Sequence, residues 1–140
     1  MRAVLDVNVH VSALLSRGGA PAALLRLWLE GRFELLVSPL LLHELTRTLT
    51  YPKLRKRIAA DQATDYVHLL ARSATTCTDA PAEARFRSED PADDYLIGLA
   101  ASERALLVSG DAHLLALEAQ LVPVYPPRAF LELLDVSAGR

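Results

Sequence analysis

Short apolar segments alternate along the chain with longer segments in which apolar residues recur every three or four positions. This pattern predicts strands at residues 2–7, 33–37, 73–78, 105–109 and 122–125. It predicts helices at residues 9–15, 21–30, 39–50, 53–59, 61–72, 91–104, 111–119 and 127–134. Short strands that are apolar throughout and separated by helices are typical of a parallel sheet covered on both faces. We therefore predict an α/β fold: a three-layer α/β/α sandwich with a central, mostly parallel sheet of four to five short strands.

Capping residues, glycines and prolines set the boundaries of these elements. Ser38 and Asp90 each stand directly before a proline, which is the pattern of an N-cap followed by proline at the first helical position. Gly31 is expected to end the second helix. Pro123 indicates that the last strand lies at a sheet edge, because proline cannot donate a ladder hydrogen bond.

Composition limits the size and the setting of the fold. The chain has 140 residues, of which 51% are hydrophobic. This is close to the usual size of one domain, so we predict a single domain at residues 1–136 and a tail at 137–140. The single cysteine, Cys77, cannot form an intramolecular disulfide, and Asp6 interrupts the apolar start too early for a signal peptide. No apolar run approaches the roughly 18 residues of a membrane span. We expect a cytoplasmic protein that does not enter a membrane.

The charge distribution bears on nucleic-acid binding. A formal net charge of −2 argues mildly against a protein that coats nucleic acid, but it allows an enzyme that concentrates acids at a metal site. The densest positive stretch could grip an RNA backbone through phosphate contacts, and a solvated helix face explains it equally well. This stretch comprises Arg47, Lys53, Arg55, Lys56 and Arg57.

Two acids fall where active sites form in parallel α/β sheets, beyond the carboxyl ends of strands. Asp6 follows the first predicted strand, and Asp111 follows the strand at 105–109. Both are expected to face the same crevice. The alternative for each is that it only caps the helix that follows.

Glu44 and Asp94 interrupt apolar helices. Glu44 falls in the broad arc that we expect the third helix to bury, the arc of Leu40, Leu41, Leu45 and Leu49. A buried carboxylate is costly unless it is paired or bound to a cation, and the alternative to a cation is an ion pair with Arg47.

Asp94 lies in the first turn of a helix that is apolar nearly all round. Its alternative role is to complement the helix dipole. Asp90 and Asp93 are expected to have local capping roles, and Asp93 is a weaker candidate for the site.

Four carboxylates in one crevice would repel each other at neutral pH. A divalent cation removes the repulsion, and a set of hard oxygen ligands suits Mg²⁺ or Mn²⁺. Such a cation activates a bound water and stabilises charge on a phosphate, so phosphodiester hydrolysis is the expected chemistry.

Four motifs together resemble the PIN-domain family in order and spacing over nearly the whole chain. They are DVNV at 6–9, SP at 38–39 with Glu44 on the following helix, DYLIGLA at 94–100 and SGD at 109–111. The segments at 12–15, 18–21 and 90–94 resemble a bacterial subgroup whose members are toxin components of toxin–antitoxin pairs.

The resemblance implies a Mg²⁺- or Mn²⁺-dependent endoribonuclease that acts on RNA. It makes Asp6, Glu44 and Asp94 the core acids and Asp111 the fourth. It also implies a cognate antitoxin partner and a homodimer.

The resemblance further implies supporting roles beside the acids. Asn8 would orient Asp6 or a metal-bound water, and Ser109 would hydrogen-bond near the same site. Many toxins of the family carry threonine where this chain has Val7, so a supporting hydroxyl is lost and metal binding could be weaker.

Other functions remain as alternatives. A phosphatase using Asp6 as nucleophile would need a second acid at the position of Asn8, and no glycine-rich nucleotide loop is present. A catalytically weak or inactive PIN-like module that acts through protein binding is the main rival. The four histidines are expected to have ordinary surface or capping roles; they are His10, His43, His68 and His113.

Overall fold

The computed structural model describes residues 1–79, 94–111, 115 and 122–138. In this part of the chain the strands are β1 (Arg2–Leu5), β2 (Glu34–Val37), β3 (Thr75–Thr76), β4 (Leu106–Val108) and β5 (Val124–Tyr125). The helices are α1 (Val7–Leu15), α2 (Ala20–Leu29), α3 (Pro39–Thr48), α4 (Pro52–Arg55), α5 (Ala60–Ser73), α6 (Asp94–Ser102) and α7 (Pro127–Ala138). None of these helices has the length and apolarity that a membrane span requires.

The five strands form one sheet in the order β3-β2-β1-β4-β5, and each pairing is parallel. The first strand of the chain is therefore the central one. Ala3 of β1 lies opposite Leu35 on one side and Leu106 on the other. The predicted parallel sheet is confirmed.

Successive residues of β1 point to opposite faces of the sheet, and each face is covered. Ala3 and Leu5 belong to one buried cluster, which α1, α2, α5 and α7 complete with side chains that include Leu24, Trp28, Leu70 and Phe130. Val4 belongs to a second cluster, which α6 completes with Leu96, Ile97, Leu99 and Ala100. This arrangement confirms the three-layer α/β/α sandwich, and it explains why the strands are apolar on both faces.

Both edge strands are shorter than predicted. β3 contains only Thr75 and Thr76 of the predicted 73–78, and β5 contains only Val124 and Tyr125 of the predicted 122–125. Edge strands pair on one side, so fewer ladder bonds extend them. Pro123 precedes β5 and accepts a hydrogen bond from the Leu107 amide at 2.9 Å, which agrees with the predicted edge position.

Ser38 and Gly31 mark helix boundaries as predicted, but several helix ends are corrected. Helix α1 begins at Val7 rather than 9, so Val7 does not belong to the predicted strand at 2–7, and α7 continues to Ala138 rather than 134. Ser38 caps α3 by accepting a hydrogen bond from the Leu41 amide at 3.2 Å, and Gly31 follows α2 with a φ of 81°, a conformation that favours glycine. However, α3 ends at Thr48 rather than 50, and the predicted basic helix at 53–59 is only the four-residue α4.

Some predictions fall outside the described residues. These are the caps at Asp90 and Asp93, the start of the predicted helix at 91–104, and most of the predicted helix at 111–119.

His10 is not a surface or capping residue, contrary to the sequence-based expectation. It lies on α1 with none of its side chain exposed, and its Nδ1 is 2.6 Å from the hydroxyl of Tyr66 on α5. Its Nε2 has no hydrogen-bond partner among the described residues. Burial lowers the pKa of His10 from 6.5 to about 4, so the ring is neutral in the folded protein at pH 7.

This neutral histidine predicts a loss of stability in acid. Below pH 6.5 the unfolded chain binds a proton that the folded chain excludes until about pH 4. The free energy of unfolding should therefore fall across this window by about 3 kcal/mol. Chemical denaturation measured at several pH values would test this, with His10→Gln expected to show a shallower fall.

The exposed His43 provides the matched control for loss of a histidine, and His43→Gln is measured over the same pH range as the wild type and His10→Gln. Asp6 contributes with the opposite sign because its pKa is raised, but both variants retain Asp6. Equal slopes for wild type and His10→Gln between pH 6.5 and 4 would contradict the assignment.

Candidate active site

Asp6 lies directly after the central strand β1 and is 5% exposed. Its Oδ1 accepts a hydrogen bond from the Val9 amide at 2.8 Å, so it is the N-cap of α1. Asp6 also lines an open crevice at the carboxyl end of the sheet. It therefore caps the helix and faces the crevice, which were the two roles considered for it separately.

Ser109 connects the ends of the two neighbouring strands β1 and β4. It is fully buried, and its hydroxyl donates a short hydrogen bond to Oδ2 of Asp6. The same hydroxyl oxygen accepts a hydrogen bond from the Asp111 amide at 2.9 Å. Ser109 thus ties the Asp6 side chain to the backbone of Asp111, and both acids face the crevice.

The surroundings of Asp6 disfavour its ionised form. Burial raises the pKa of Asp6, while hydrogen bonds from Ser109 and from the amides of Val9 and Asn8 lower it, and the nearby Asp111 carboxylate raises it further. The net shift is upward. A cation in the crevice would stabilise the ionised form of Asp6.

Glu44 is not on a buried face of α3, which corrects the sequence-based expectation. The buried positions of this helix are Leu41 and Leu45, and the C-cap Leu49 is buried on the same side, whereas Leu40 is 38% exposed. Glu44 lies about 60° outside the buried arc on the helical wheel. Its side chain is 28% exposed and forms an ion pair with Arg47, the alternative considered for it, and both residues line the crevice.

The crevice has a volume of about 170 Å³ and is lined by side chains from four parts of the chain. The lining residues are Asp6, Val7, Asn8, Glu44, Arg47, Thr48, Tyr95, Leu96 and Asp111. Asn8 is exposed at its wall, and Val7 forms part of it.

The other two candidate acids are Asp94 and Asp93, and only the backbone of Asp94 is described. Asp94 is the first residue of α6, and the residues that follow it, Tyr95 and Leu96, line the crevice. This brings the backbone at position 94 to the edge of the crevice. The side chain of Asp94 and the whole of Asp93 lie outside the described residues.

The acids suit a hard divalent cation by chemistry, since they offer carboxylate oxygens. They do not form a ready-made cluster: within the described residues, no three histidine, cysteine or acidic side chains converge as metal ligands. Asp6, Glu44 and Asp111 are the described side chains that could hold the cation, together with Asp94 at the adjoining end of α6.

The five predicted RNA-contact residues lie at two different places in the structure. Arg47 lines the acid crevice. Lys53, Arg55, Lys56 and Arg57 are exposed on α4 and the residues after it. Arg55 lines a second cleft, of about 230 Å³, which lies between α3 and α5 and whose wall includes Thr46 and Leu49 on the opposite side of α3.

The sequence-based reasoning did not identify three lining residues: Thr48, Tyr95 and Leu96. Thr48 stands four positions after Glu44 and therefore shares its helix face. This spacing could have identified Thr48 as a crevice residue from the sequence. Tyr95 and Leu96 were assigned only to a buried helix, and their place in the crevice depends on how α6 packs against the sheet.

Comparison with known proteins gives one family and several similar folds. The family model described as the PIN domain matches residues 2–113. The uncharacterised protein MJ1680 of Methanocaldococcus jannaschii is 29% identical over 117 residues, which is 84% of this chain and 75% of that protein.

Three solved structures share the fold. PAE2754 from Pyrobaculum aerophilum has a TM-score of 0.67 at 20% identity and covers 97% of this chain and 90% of its own. VapBC2 from Rickettsia felis, bound to a DNA fragment from its promoter, has a TM-score of 0.61 at 14% identity. FitAcB from Neisseria gonorrhoeae has a TM-score of 0.56 at 17% identity, and both of these structures cover 90% of this chain and 98% of their own. With the family match over residues 2–113, the chain belongs to the PIN-domain family.

Proposed function

We propose that this protein is an endoribonuclease that hydrolyses RNA phosphodiester bonds at the acid crevice with Mg²⁺ or Mn²⁺. PIN domains are generally nucleases and generally use divalent metal ions. The observation that carries the proposal is the shared crevice of Asp6, Glu44 and Asp111 at the carboxyl end of the central strands. In a parallel α/β sheet this is the end at which active sites form.

The acids would hold the cation in unequal ways. Asp6 is fixed by the Ser109 hydroxyl and the Val9 amide, so its carboxylate is oriented before a cation arrives. Glu44 and Asp111 are more exposed and can adjust to a cation, and Asp94 would complete the set. When bound, the cation supplies an activated water and stabilises charge on the phosphate.

Two further groups would act beside the acids. Asn8 lies at the crevice wall, where its amide can orient a water or a phosphate oxygen. Ser109 would act through Asp6, as a positioning residue. Val7 offers no hydroxyl at this wall, so we expect metal binding to rely on the carboxylates alone.

The basic residues supply contacts to the RNA backbone in this proposal. Arg47 lines the crevice, while Lys53, Arg55, Lys56 and Arg57 would contact RNA from a separate exposed surface on α4 and the residues after it. Contacts of this kind make RNA affinity fall as salt concentration rises.

We also propose that the nuclease is the toxin of a toxin–antitoxin pair, acting as a homodimer with a cognate antitoxin partner. The support is the fold shared with the VapBC2 and FitAcB structures, together with the motif resemblance of the sequence. Copurification of this chain with the product of the neighbouring gene is the direct test of the partner.

Removal of a single acid should strongly reduce the rate of RNA cleavage. Asp6→Asn and Glu44→Gln should each lower the rate of RNA cleavage in Mn²⁺ by about 100-fold or more, because each removes a charge that holds the cation. Ser109→Ala should lower it by about 10- to 100-fold through Asp6. The measurement is cleavage of structured and unstructured RNA followed on a gel, with and without Mn²⁺.

Asp65→Asn is the matched control, because Asp65 is an exposed acid on α5 remote from the crevice lining. It should cleave at the wild-type rate. Absence of cleavage by the wild type, or equal cleavage by Asp6→Asn, would instead favour a catalytically inactive PIN-like module that acts through protein binding.

Divalent cations should stabilise the fold, because they relieve repulsion between Asp6 and Asp111. The melting temperature should rise with Mn²⁺ concentration, and at 100 times the dissociation constant the stabilisation should reach about 2.7 kcal/mol. Glu44→Gln should show a smaller rise, and NaCl at equal ionic strength should not reproduce it. A melting temperature that is independent of Mn²⁺ would count against a metal site in the crevice.

A further inference from the structure

Arg47 contacts only one of the two carboxylate oxygens of Glu44. Its Nε lies 2.9 Å and its Nη2 2.7 Å from the same atom, Glu44 Oε2. The second carboxylate oxygen, Oε1, makes no hydrogen bond or ion pair within the described residues. Glu44 therefore keeps one oxygen for another ligand while Arg47 occupies the first.

Arg47 is also the one cation among the described residues that line the crevice. Its side chain is 58% exposed, which leaves the guanidinium accessible to a ligand from solvent. The crevice presents two electrostatic problems to the proposed reaction. A divalent cation is attracted by the acids but repelled by Arg47, and an RNA phosphate is attracted by Arg47 but repelled by the acids.

A single change of partner resolves both problems. We propose that Arg47 is a substrate-positioning residue that exchanges partners: it is the counter-ion of Glu44 in the metal-free protein and a ligand of the RNA phosphate once a divalent cation binds Glu44. This inference rests on the proposed function and adds a defined order to it, with metal first and phosphate second. The planar guanidinium, with several N–H donors, suits a phosphate as well as a carboxylate.

The ion pair is a poor candidate for a purely structural role. It joins positions i and i+3 on an exposed part of α3, and such pairs contribute little to stability. Arg47→Gln should therefore fold with a melting temperature near that of the wild type. That property makes the variant suitable for binding measurements.

The first measurement is Mn²⁺ binding by isothermal titration calorimetry in the absence of RNA. Arg47→Gln should bind Mn²⁺ about 3- to 10-fold more tightly than the wild type, because the competing guanidinium is gone. Arg72→Gln removes the same charge from an exposed position on α5 that lines neither cleft, and it should leave Mn²⁺ affinity unchanged.

The second measurement is binding of a fluorescein-labelled single-stranded RNA whose phosphorothioate linkages suppress cleavage, followed by anisotropy. Mn²⁺ should strengthen RNA binding by the wild type and should do so much less for Arg47→Gln. Arg47→Gln should bind about 10-fold more weakly than the wild type in Mn²⁺, and the slope of log affinity against log salt should shrink by about 0.7. Arg47→Lys keeps the charge and should restore most of the RNA affinity.

The expected result is that Arg47→Gln binds Mn²⁺ more tightly and RNA more weakly than the wild type. Unchanged or weaker Mn²⁺ binding by Arg47→Gln would overturn the exchange, because Arg47 would then hold Glu44 for the cation. Unchanged RNA binding would overturn it as well. A wild-type protein that binds no Mn²⁺ overturns the proposed function itself, so the two failures are distinguishable.

Discussion

The site depends on one buried carboxylate, that of Asp6 at the end of the central strand. Its two oxygens have different partners: Oδ1 caps α1 through the Val9 amide, and Oδ2 receives the Ser109 hydroxyl. These bonds fix the orientation of the carboxylate, but they do not fully offset its burial, since its pKa remains raised. Asp6 is thus both a structural cap and a buried carboxylate whose surroundings, among the described residues, disfavour its ionised form. A cation placed beside Asp6 would stabilise that ionised form.

The parallel sheet determines which groups meet this carboxylate. Because β1 is central, its carboxyl end is flanked by the ends of β2 and β4, and these lead into Ser38 and Ser109. Ser38 caps α3 and so sets the direction of the helix that carries Glu44 and Arg47. Ser109 joins Asp6 to the backbone of Asp111. Two buried hydroxyls therefore position most of the described acid crevice.

The two sides of α3 have different surroundings, and this separates the basic residues into two groups. Glu44, Arg47 and Thr48 face the acid crevice, whereas Thr46 and Leu49 face the cleft that contains Arg55. A linear reading of the chain treats these cations as one positive stretch. The helix places Arg47 apart from the rest, in direct contact with an acid.

The sequence by itself determined the layered architecture, because strands that are apolar throughout must be covered on both faces. It also predicted the start of α3, because Ser38 stands before a proline. The positions of Asp6 and Asp111 after strands predicted that both lie at one edge of the sheet, whereas Asn8 and Ser109 were predicted beside them only through the resemblance to the PIN-domain family. Only the tertiary structure decided the exposure and the side-chain partners of Glu44 and His10. Helical periodicity assigned Glu44 to a buried arc, but the packing of α3 left its side chain partly exposed beside Arg47. His10 looked like a surface residue, but α5 covers it and supplies the Tyr66 hydroxyl. The burial of a single side chain depends on which element packs over it. This packing is a long-range contact, and the local pattern of apolar residues does not predict it.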